Sequence, residues 1–236
     1  MIVRRTGTSQ LLITQPDHAA LAGRIMRHWT AGGLPDSPRR REILLAVDEH
    51  DNGWKEADAA PIVDSSSGQI LDFVRAPDSV RQGVWPRAVE RLAAVPYSAA
   101  LVAQHALHVY RRYRADPAWR AFFAGLEAAR ERHLGMLPAM TLHQLEADYP
   151  FLRLGDLISL GFCNGWDEPQ EQAGYTVRVD GARVLVAPDP FAGRSVAIEV
   201  TALELPDRPF SSTADAVEAM GAAPLRLLHG VVCGEG

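Results

Sequence analysis

The chain of 236 residues carries 24 basic and 29 acidic side chains, which gives a formal net charge of −5 at pH 7. Its basic residues are scattered, and this argues against nucleic acid as a partner. No apolar run approaches the roughly 18 residues that a membrane span needs. Two cysteines are too few for a disulfide framework, and the N-terminus lacks an apolar signal-peptide core, so we expect a cytoplasmic protein without membrane segments.

Helical patterns dominate the chain up to about Asn164. Apolar residues at i, i+3, i+4 and i+7 predict a stripe on one face of each helix. The predicted helices cover residues 16–29, 38–51, 96–114, 118–134 and a final segment that runs from Leu152 to Cys163. Residues 55–85, with Pro61, Pro77 and a serine-rich stretch, are expected to be irregular, and such a long loop is usually functional or mobile.

After Gly174 the pattern changes to a period of two residues, which is typical of strands. Residues 175–179 and 182–186, joined by Asp180 and Gly181, predict a hairpin. Residues 196–205 and 225–232 predict further strands, and Ser212 and Thr213 precede a short predicted helix over 214–220. We therefore expect a mainly α fold with two parts: a helical domain over residues 1–170 and a small C-terminal α+β unit with antiparallel strands over residues 171–236.

Histidine and aspartate residues occur on the apolar face of four predicted helices. A buried carboxylate or imidazole is costly unless a partner compensates it. Several such groups on separate helices are explained most simply by convergence on one metal, although each taken alone can also be a satisfied core residue. Imidazole and carboxylate ligands together suit Fe, Mn, Zn, Ni or Co. The residues concerned are His18, His50 with the adjacent Asp51, His105 with His108, and Asp156.

The order His18, then His50-Asp51, then Asp156 resembles the HD-domain metalloprotein superfamily, whose members bind one or two metals and in many cases hydrolyse phosphate esters. The whole chain also resembles an uncharacterised bacterial group, domain-of-unknown-function family 3891. The segments that carry this second resemblance are residues 13–19, 49–54, 96–105, 156–166 and 190–191. The first resemblance implies an HD-domain-like helical bundle, and the second brings no established reaction.

The HD resemblance implies His18, His50, Asp51 and Asp156 as metal ligands, with His105 matching a further histidine of two-metal members. Such members usually supply one more histidine between the His-Asp pair and that position, but this chain has none from residue 52 to 104. We therefore expect one ion, with two as the alternative. Many members also place a lysine three residues after the aspartate, where this chain has Trp54, followed by Lys55.

The implied activity is that of a metal-dependent hydrolase acting on a small phosphorylated molecule through a metal-activated water. Glu49, His105 and His108 are the candidate catalytic groups for moving the proton. An HD-type iron oxygenase and a non-catalytic metal- or ligand-binding protein remain open alternatives. The expected partner is a small-molecule substrate, and a homodimer through the strand unit is possible.

Overall fold

The structure is a computed structural model that describes residues 1–138 and 142–235. The chain starts with a strand hairpin, continues through a series of helices and ends in further strands around one helix. The helices are α1 (Gln15–Met26), α2 (Arg40–Glu49), α3 (Lys55–Ala59), α4 (Asp78–Arg91), α5 (Pro96–Val109), α6 (Arg120–Gly135), α7 (Leu142–Asn164) and α8 (Thr213–Ala222). The strands are β1 (Ile2–Arg5), β2 (Ser9–Ile13), β3 (Gln170–Gln172), β4 (Tyr175–Asp180), β5 (Arg183–Ala187), β6 (Ser195–Pro206) and β7 (Leu225–Gly234).

All of these strands form one sheet in the order β1-β2-β6-β7-β5-β4-β3. Strands β5 and β7 pair in parallel, and the other neighbours are antiparallel. The N-terminal hairpin joins the sheet because β2 pairs with the end of β6, with Leu12 opposite Leu203. The sheet therefore combines strands from both ends of the chain.

The expectation of a mainly α protein is wrong. The protein is 49% helical and 20% strand, with a curled, mixed, seven-stranded sheet. The N-terminal strands were missed because they are only four and five residues long. Neither run alternates between apolar and polar residues, so the strand period is not visible in them, and the partner of β2 lies almost 200 residues further along the chain.

Other local predictions are confirmed. The hairpin from β4 to β5 pairs Asp180 with Arg183, and Gly181 in its turn has a φ of 59°, a conformation that glycine adopts without strain. Ser212 caps α8 by accepting a hydrogen bond from the backbone N–H of Asp215. In contrast, most of α4 falls in the segment that we expected to be irregular. Pro86 lies inside this helix, and because proline is unfavourable there, the helical periodicity on either side of it was not recognised.

Helices α1 and α7 pack against one face of the sheet, whereas α8 packs with Leu12 and Leu205 on the other face. Alternate residues of β6 are buried and join the core formed with α1, α2, α5 and α7, while the residues between them are exposed. Helix α1 packs on β6, and α7 packs on β4 and β5. None of the described helices has the length and apolarity that crossing a membrane requires.

Two glycines allow the close packing on which the site depends. A methyl group at Gly155 would lie 2.8 Å from side-chain carbons of Met26 and Val47, so glycine lets α7 approach α1 and α2 closely. Gly53 does not end α2, which finishes at Glu49. A methyl group at Gly53 would collide with the carbonyl oxygen of Val84, so this glycine instead permits the approach of α4.

Candidate metal centre

Five side chains from separate parts of the helical layer meet in one cluster, hereafter the His/Asp cluster. His18 comes from α1, His50 and Asp51 follow the end of α2, His105 comes from α5, and Asp156 comes from α7. All are buried except Asp156, whose side chain is 18% exposed. The cluster therefore has its opening beside Asp156.

His18 and His50 each place Nε2 within 3.6 Å of a carboxylate oxygen of both Asp51 and Asp156. His18 Nε2 lies 3.0 Å from Asp51 Oδ2 and 3.6 Å from Asp156 Oδ1. His50 Nε2 lies 3.5 Å from Asp51 Oδ2 and 3.4 Å from Asp156 Oδ1. Metal–nitrogen distances of about 2.0–2.1 Å place neighbouring ligands about 3.3 Å apart in a tetrahedron and about 3.0 Å apart in an octahedron. The observed separations between imidazole nitrogens and carboxylate oxygens are close to these values, and the donor atoms of His18, His50 and Asp51 all lie within 4.8 Å of one another.

On the far side of each imidazole a hydrogen bond at Nδ1 fixes the ring so that Nε2 faces the cluster. His50 Nδ1 donates to the carbonyl of Val47 at 2.8 Å, and His18 Nδ1 donates to Ser159 Oγ at 2.6 Å. The Ser159 hydroxyl in turn donates to the backbone carbonyl of Asp156 at 3.3 Å, so it accepts from His18. Metal-binding histidines are held in this way in known sites.

One polar atom in the cluster lacks a partner. His50 Nε2 is buried, and no other atom in the described part of the chain completes a hydrogen bond with it. A buried unsatisfied polar atom is uncommon and calls for an explanation, such as an ion. Together with the ligand spacing, this atom shows that the cluster can hold a metal ion.

His105 lies on the other side of the Asp156 carboxylate. Its Nε2 is 3.6 Å from Asp156 Oδ2, whereas Oδ1 faces His18 and His50. His105 Nδ1 lies 3.1 Å from the hydroxyl of Tyr149, so its Nε2 also points inward. His50, His105 and Asp156 form a second group whose ligand atoms lie within 4.8 Å of one another. His105 is thus placed to contact a second ion or a substrate.

The charges within the cluster shift three pKa values. Burial by itself would lower the pKa of His50, but the carboxylates of Asp51 and Asp156 outweigh it and raise that pKa to about 9. Burial lowers the pKa of His105 to about 4. Burial opposes ionisation of Asp156, yet its close approach to His50, at 3.4 Å, holds its pKa well below the usual range. Without metal, the cluster therefore holds a proton on His50, and a metal must displace it.

Two predicted catalytic residues lie elsewhere. Glu49 lines a surface cavity of about 950 Å³ together with Asp17 and Lys55, and none of the cluster residues borders this cavity. His108 is partly buried and packs against Tyr149, with ring centroids 5.5 Å apart. Burial, followed by the charges of Arg153 and Arg111, lowers its pKa to about 4. The structure brings together His18, His50, Asp51, His105 and Asp156, and places Glu49 and His108 outside that group.

Tyr149 and Arg153, which lie beside the cluster, were missed at the sequence level. They occur at i and i+4 on α7 and share one face of the helix with Asp156 at i+7 and Ser159 at i+10. This spacing is typical of a helix. Because proline is unfavourable inside a helix, Pro150 led us to begin the predicted helix at Leu152 and to leave out its N-terminal half. Trp85 of α4 also contacts the cluster, with its ring 5.5 Å from that of His105.

The molecule is thus a mixed α/β protein with a buried His/Asp cluster able to hold a metal. Its sequence matches the family described as "Protein of unknown function (DUF3891)" over residues 1–207, and the chain belongs to that family. Neither the curated proteins nor the solved structures contain a match. Family membership is therefore confirmed, while the resemblance to HD-domain metalloproteins stays a prediction.

Proposed function

We propose that this protein is a metal-dependent hydrolase of the HD type that acts on a small phosphorylated molecule. The observation that carries the proposal is the convergence of two oriented imidazoles, His18 and His50, with the carboxylates of Asp51 and Asp156. The chain order of these ligands is that of HD-domain metalloproteins. The likeness concerns the ligands alone, since the fold includes the seven-stranded sheet.

The ligand set suits this chemistry. A divalent transition metal bound there would lower the pKa of a water molecule and polarise a phosphoryl group. Asp51 and Asp156 balance the charge of such an ion, while His18 and His50 contribute neutral donors. The cluster meets solvent at Asp156, whose side chain is partly exposed.

His105 is the cluster residue best placed to assist the substrate. Its lowered pKa of about 4 keeps the imidazole neutral at pH 7, so Nε2 accepts hydrogen bonds. With this pKa His105 is a weak general base at pH 7, so its main contribution would be a hydrogen bond accepted from the substrate or a water. Its bond to Tyr149 fixes the direction of the ring.

A second candidate is an iron oxygenase with two metals. The two-sided placement of Asp156 favours it, because one carboxylate oxygen faces His18 and His50 and the other faces His105. A carboxylate in this position can join two ions. Counting the metals per chain separates this candidate from the hydrolase.

The first experiment is elemental analysis of protein purified without added metal. We expect about one transition metal per chain, and we expect Asp51→Ala to lose it. Asp167→Ala changes an exposed aspartate and is the matched control, expected to retain the metal. Stoichiometric metal in Asp51→Ala would contradict the assignment of the cluster.

The second experiment measures hydrolysis of a panel of phosphate esters in the presence of Mn, Co or Ni. We expect activity in the wild-type protein and its loss in His50→Ala. Two metals per chain with no hydrolysis across the panel would favour the oxygenase. One tightly bound metal with no reaction would favour a non-catalytic binding protein.

A further inference from the structure

The surface cavity of about 950 Å³ that Glu49 lines, hereafter the Glu49 cavity, has the form of a ligand site. Residues of α1, α2, α3 and α8 and the end of α4 border it. Small-molecule sites are typically clefts of roughly 300–1,000 Å³ with mostly apolar walls and a few polar groups that fix the ligand. Most of the exposed wall of the Glu49 cavity is apolar, and Leu45, Leu92 and Met220 belong to this apolar part. The cavity therefore has room and apolar surface for a small organic molecule.

Two acidic groups and one arginine at this cavity are already paired within the chain. The Asp58 carboxylate is buried, contacts the amino group of Met1 at 2.5 Å and accepts a hydrogen bond from the backbone N–H of Gln15 at 2.6 Å. Glu56 pairs with Arg91. The charges within each pair cancel, so these groups leave no net charge for a ligand to match.

Three other charged side chains of the wall form no ion pair within residues 1–138 and 142–235. They are Asp17, Glu49 and Lys55. Asp17 accepts a hydrogen bond from the hydroxyl of Thr14 at the start of α1. The half-buried carboxylate of Glu49 receives no hydrogen bond from any described residue. Two carboxylates and one ammonium leave the wall with a net charge of one negative unit, which favours a ligand with a single positive charge.

Asn52 adds an unsatisfied acceptor at the same wall. The residue lines the cavity, and its buried Oδ1 has no hydrogen-bond partner in the part of the chain that the structure describes. A buried polar atom without a partner is uncommon and calls for one. Carboxylate groups likewise only accept hydrogen bonds. Asn52, Asp17 and Glu49 together therefore favour a ligand that donates several hydrogen bonds.

An organic cation matches this cavity better than a bare metal ion does. Among the described residues, the side-chain groups spaced for metal binding belong to the His/Asp cluster, and they include neither Asp17 nor Glu49. A metal ion would also leave the apolar wall in contact with water, whereas covering such a surface with an apolar group is favourable. An organic cation satisfies the acceptors and covers the apolar wall as well.

We propose that the Glu49 cavity is a binding site for a small primary ammonium compound with an apolar body. A primary ammonium group carries one positive charge and three N–H donors. These match the net charge of the wall and the acceptors of Glu49, Asp17 and Asn52. The apolar body covers Leu92 and Met220. No residue of the His/Asp cluster borders the cavity, so this inference does not rest on the proposed hydrolase.

Calorimetry with n-hexylammonium chloride at pH 7 tests the proposal. The wild-type protein should bind hexylammonium, whereas 1-hexanol and hexanoate keep the apolar body but lack the positive charge. Each of these two should bind about tenfold more weakly or worse, as expected when a charge-assisted hydrogen bond is missing. Affinity should also rise about fourfold for each methylene group added between propylammonium and hexylammonium, because each one buries further apolar surface.

Two variants with opposite expected effects test the charges of the wall. Glu49→Gln removes the negative charge while keeping the shape of the side chain, and it should weaken hexylammonium binding about tenfold or more. Lys55→Gln should instead strengthen that binding about twofold, because a like charge leaves the wall. Glu131→Gln changes an exposed glutamate of α6 and is the matched control, expected to bind hexylammonium like the wild type.

Thermal unfolding of each variant shows whether it is folded. Lys55 is exposed, so Lys55→Gln is expected to fold even if Glu49→Gln does not. The proposal would be overturned by absence of hexylammonium binding to the wild type, or by equal affinity for hexylammonium and hexanol. Unchanged binding in folded Glu49→Gln, or weaker binding in Lys55→Gln, would overturn it as well.

Discussion

Replacing Ser159 with alanine tests whether His18 binds metal through Nε2. Ser159 is fully buried, and its hydroxyl accepts the hydrogen bond that sets the His18 tautomer. The substitution removes that acceptor and leaves the Nδ1–H of His18 without a partner, which costs about 1–3 kcal/mol of folding free energy. Loss of such an outer hydrogen bond typically lowers metal affinity about 10–100-fold. We expect both effects in Ser159→Ala.

Ser98→Ala is the control for this prediction. Ser98 of α5 is also fully buried, and its hydroxyl donates a hydrogen bond of 2.7 Å to the backbone carbonyl of Glu42. Glu42 lies on α2, outside the cluster. Its loss should lower stability by roughly 1 kcal/mol without changing metal affinity.

Two assays separate these effects. Urea unfolding of the metal-free proteins gives the free energy of unfolding, and competition with a chelator gives the metal dissociation constant. The reasoning is refuted if Ser159→Ala binds metal as tightly as the wild type while losing the expected stability. That result would mean that the orientation of His18 has no part in metal binding.

Two further predictions concern protonation and packing. In metal-free protein the pKa of His50 is raised from 6.5 to about 9, so its contribution to stability is complete below pH 6.5 and is lost as pH rises through 9. The thermal unfolding temperature of the wild-type protein, freed of metal with a chelator, should therefore fall as pH rises from 6.5 through 9. The unfolding temperature of His50→Gln should fall less over the same interval. Equal falls in the two proteins would contradict the raised pKa of His50. Gly155→Ala should cost about 1–3 kcal/mol and weaken metal binding, because the added methyl group meets Met26 and Val47 at 2.8 Å. Gly125→Ala in α6, where the methyl group meets nothing within 4 Å, should preserve both properties, and equal losses in the two variants would argue against the packing explanation.

Much of the local structure could be predicted because its signals lie within a few residues. The stripe on α1 placed His18 on the buried face, and the stripe on α7 did the same for Ser159. Asp180 and Gly181 similarly predicted the turn from β4 to β5. These features depend on helical periodicity and turn preferences, which short segments of sequence contain.

Within the candidate site, the sequence indicated which residues were candidates but not how they are arranged. Inward-facing histidines and aspartates on separate helices pointed to a shared metal. The hydrolase activity implied by the HD resemblance suggested Glu49 and His108 for proton transfer, and both lie outside the cluster. Adjacent positions on a helix point about 100° apart, so a place next to His50 in the sequence did not bring Glu49 into the site.

The sequence by itself determined the family, the main helical stripes and the residue types that can bind a metal. Tertiary structure decided that the N-terminal hairpin joins the C-terminal strands in one sheet, and that Gly155 lets α7 bring Asp156 to His18 and His50. Each of these features joins residues that are distant along the chain. Periodicity within a segment specifies which face is buried, whereas the identity of the partner across that face is set by packing of the whole fold.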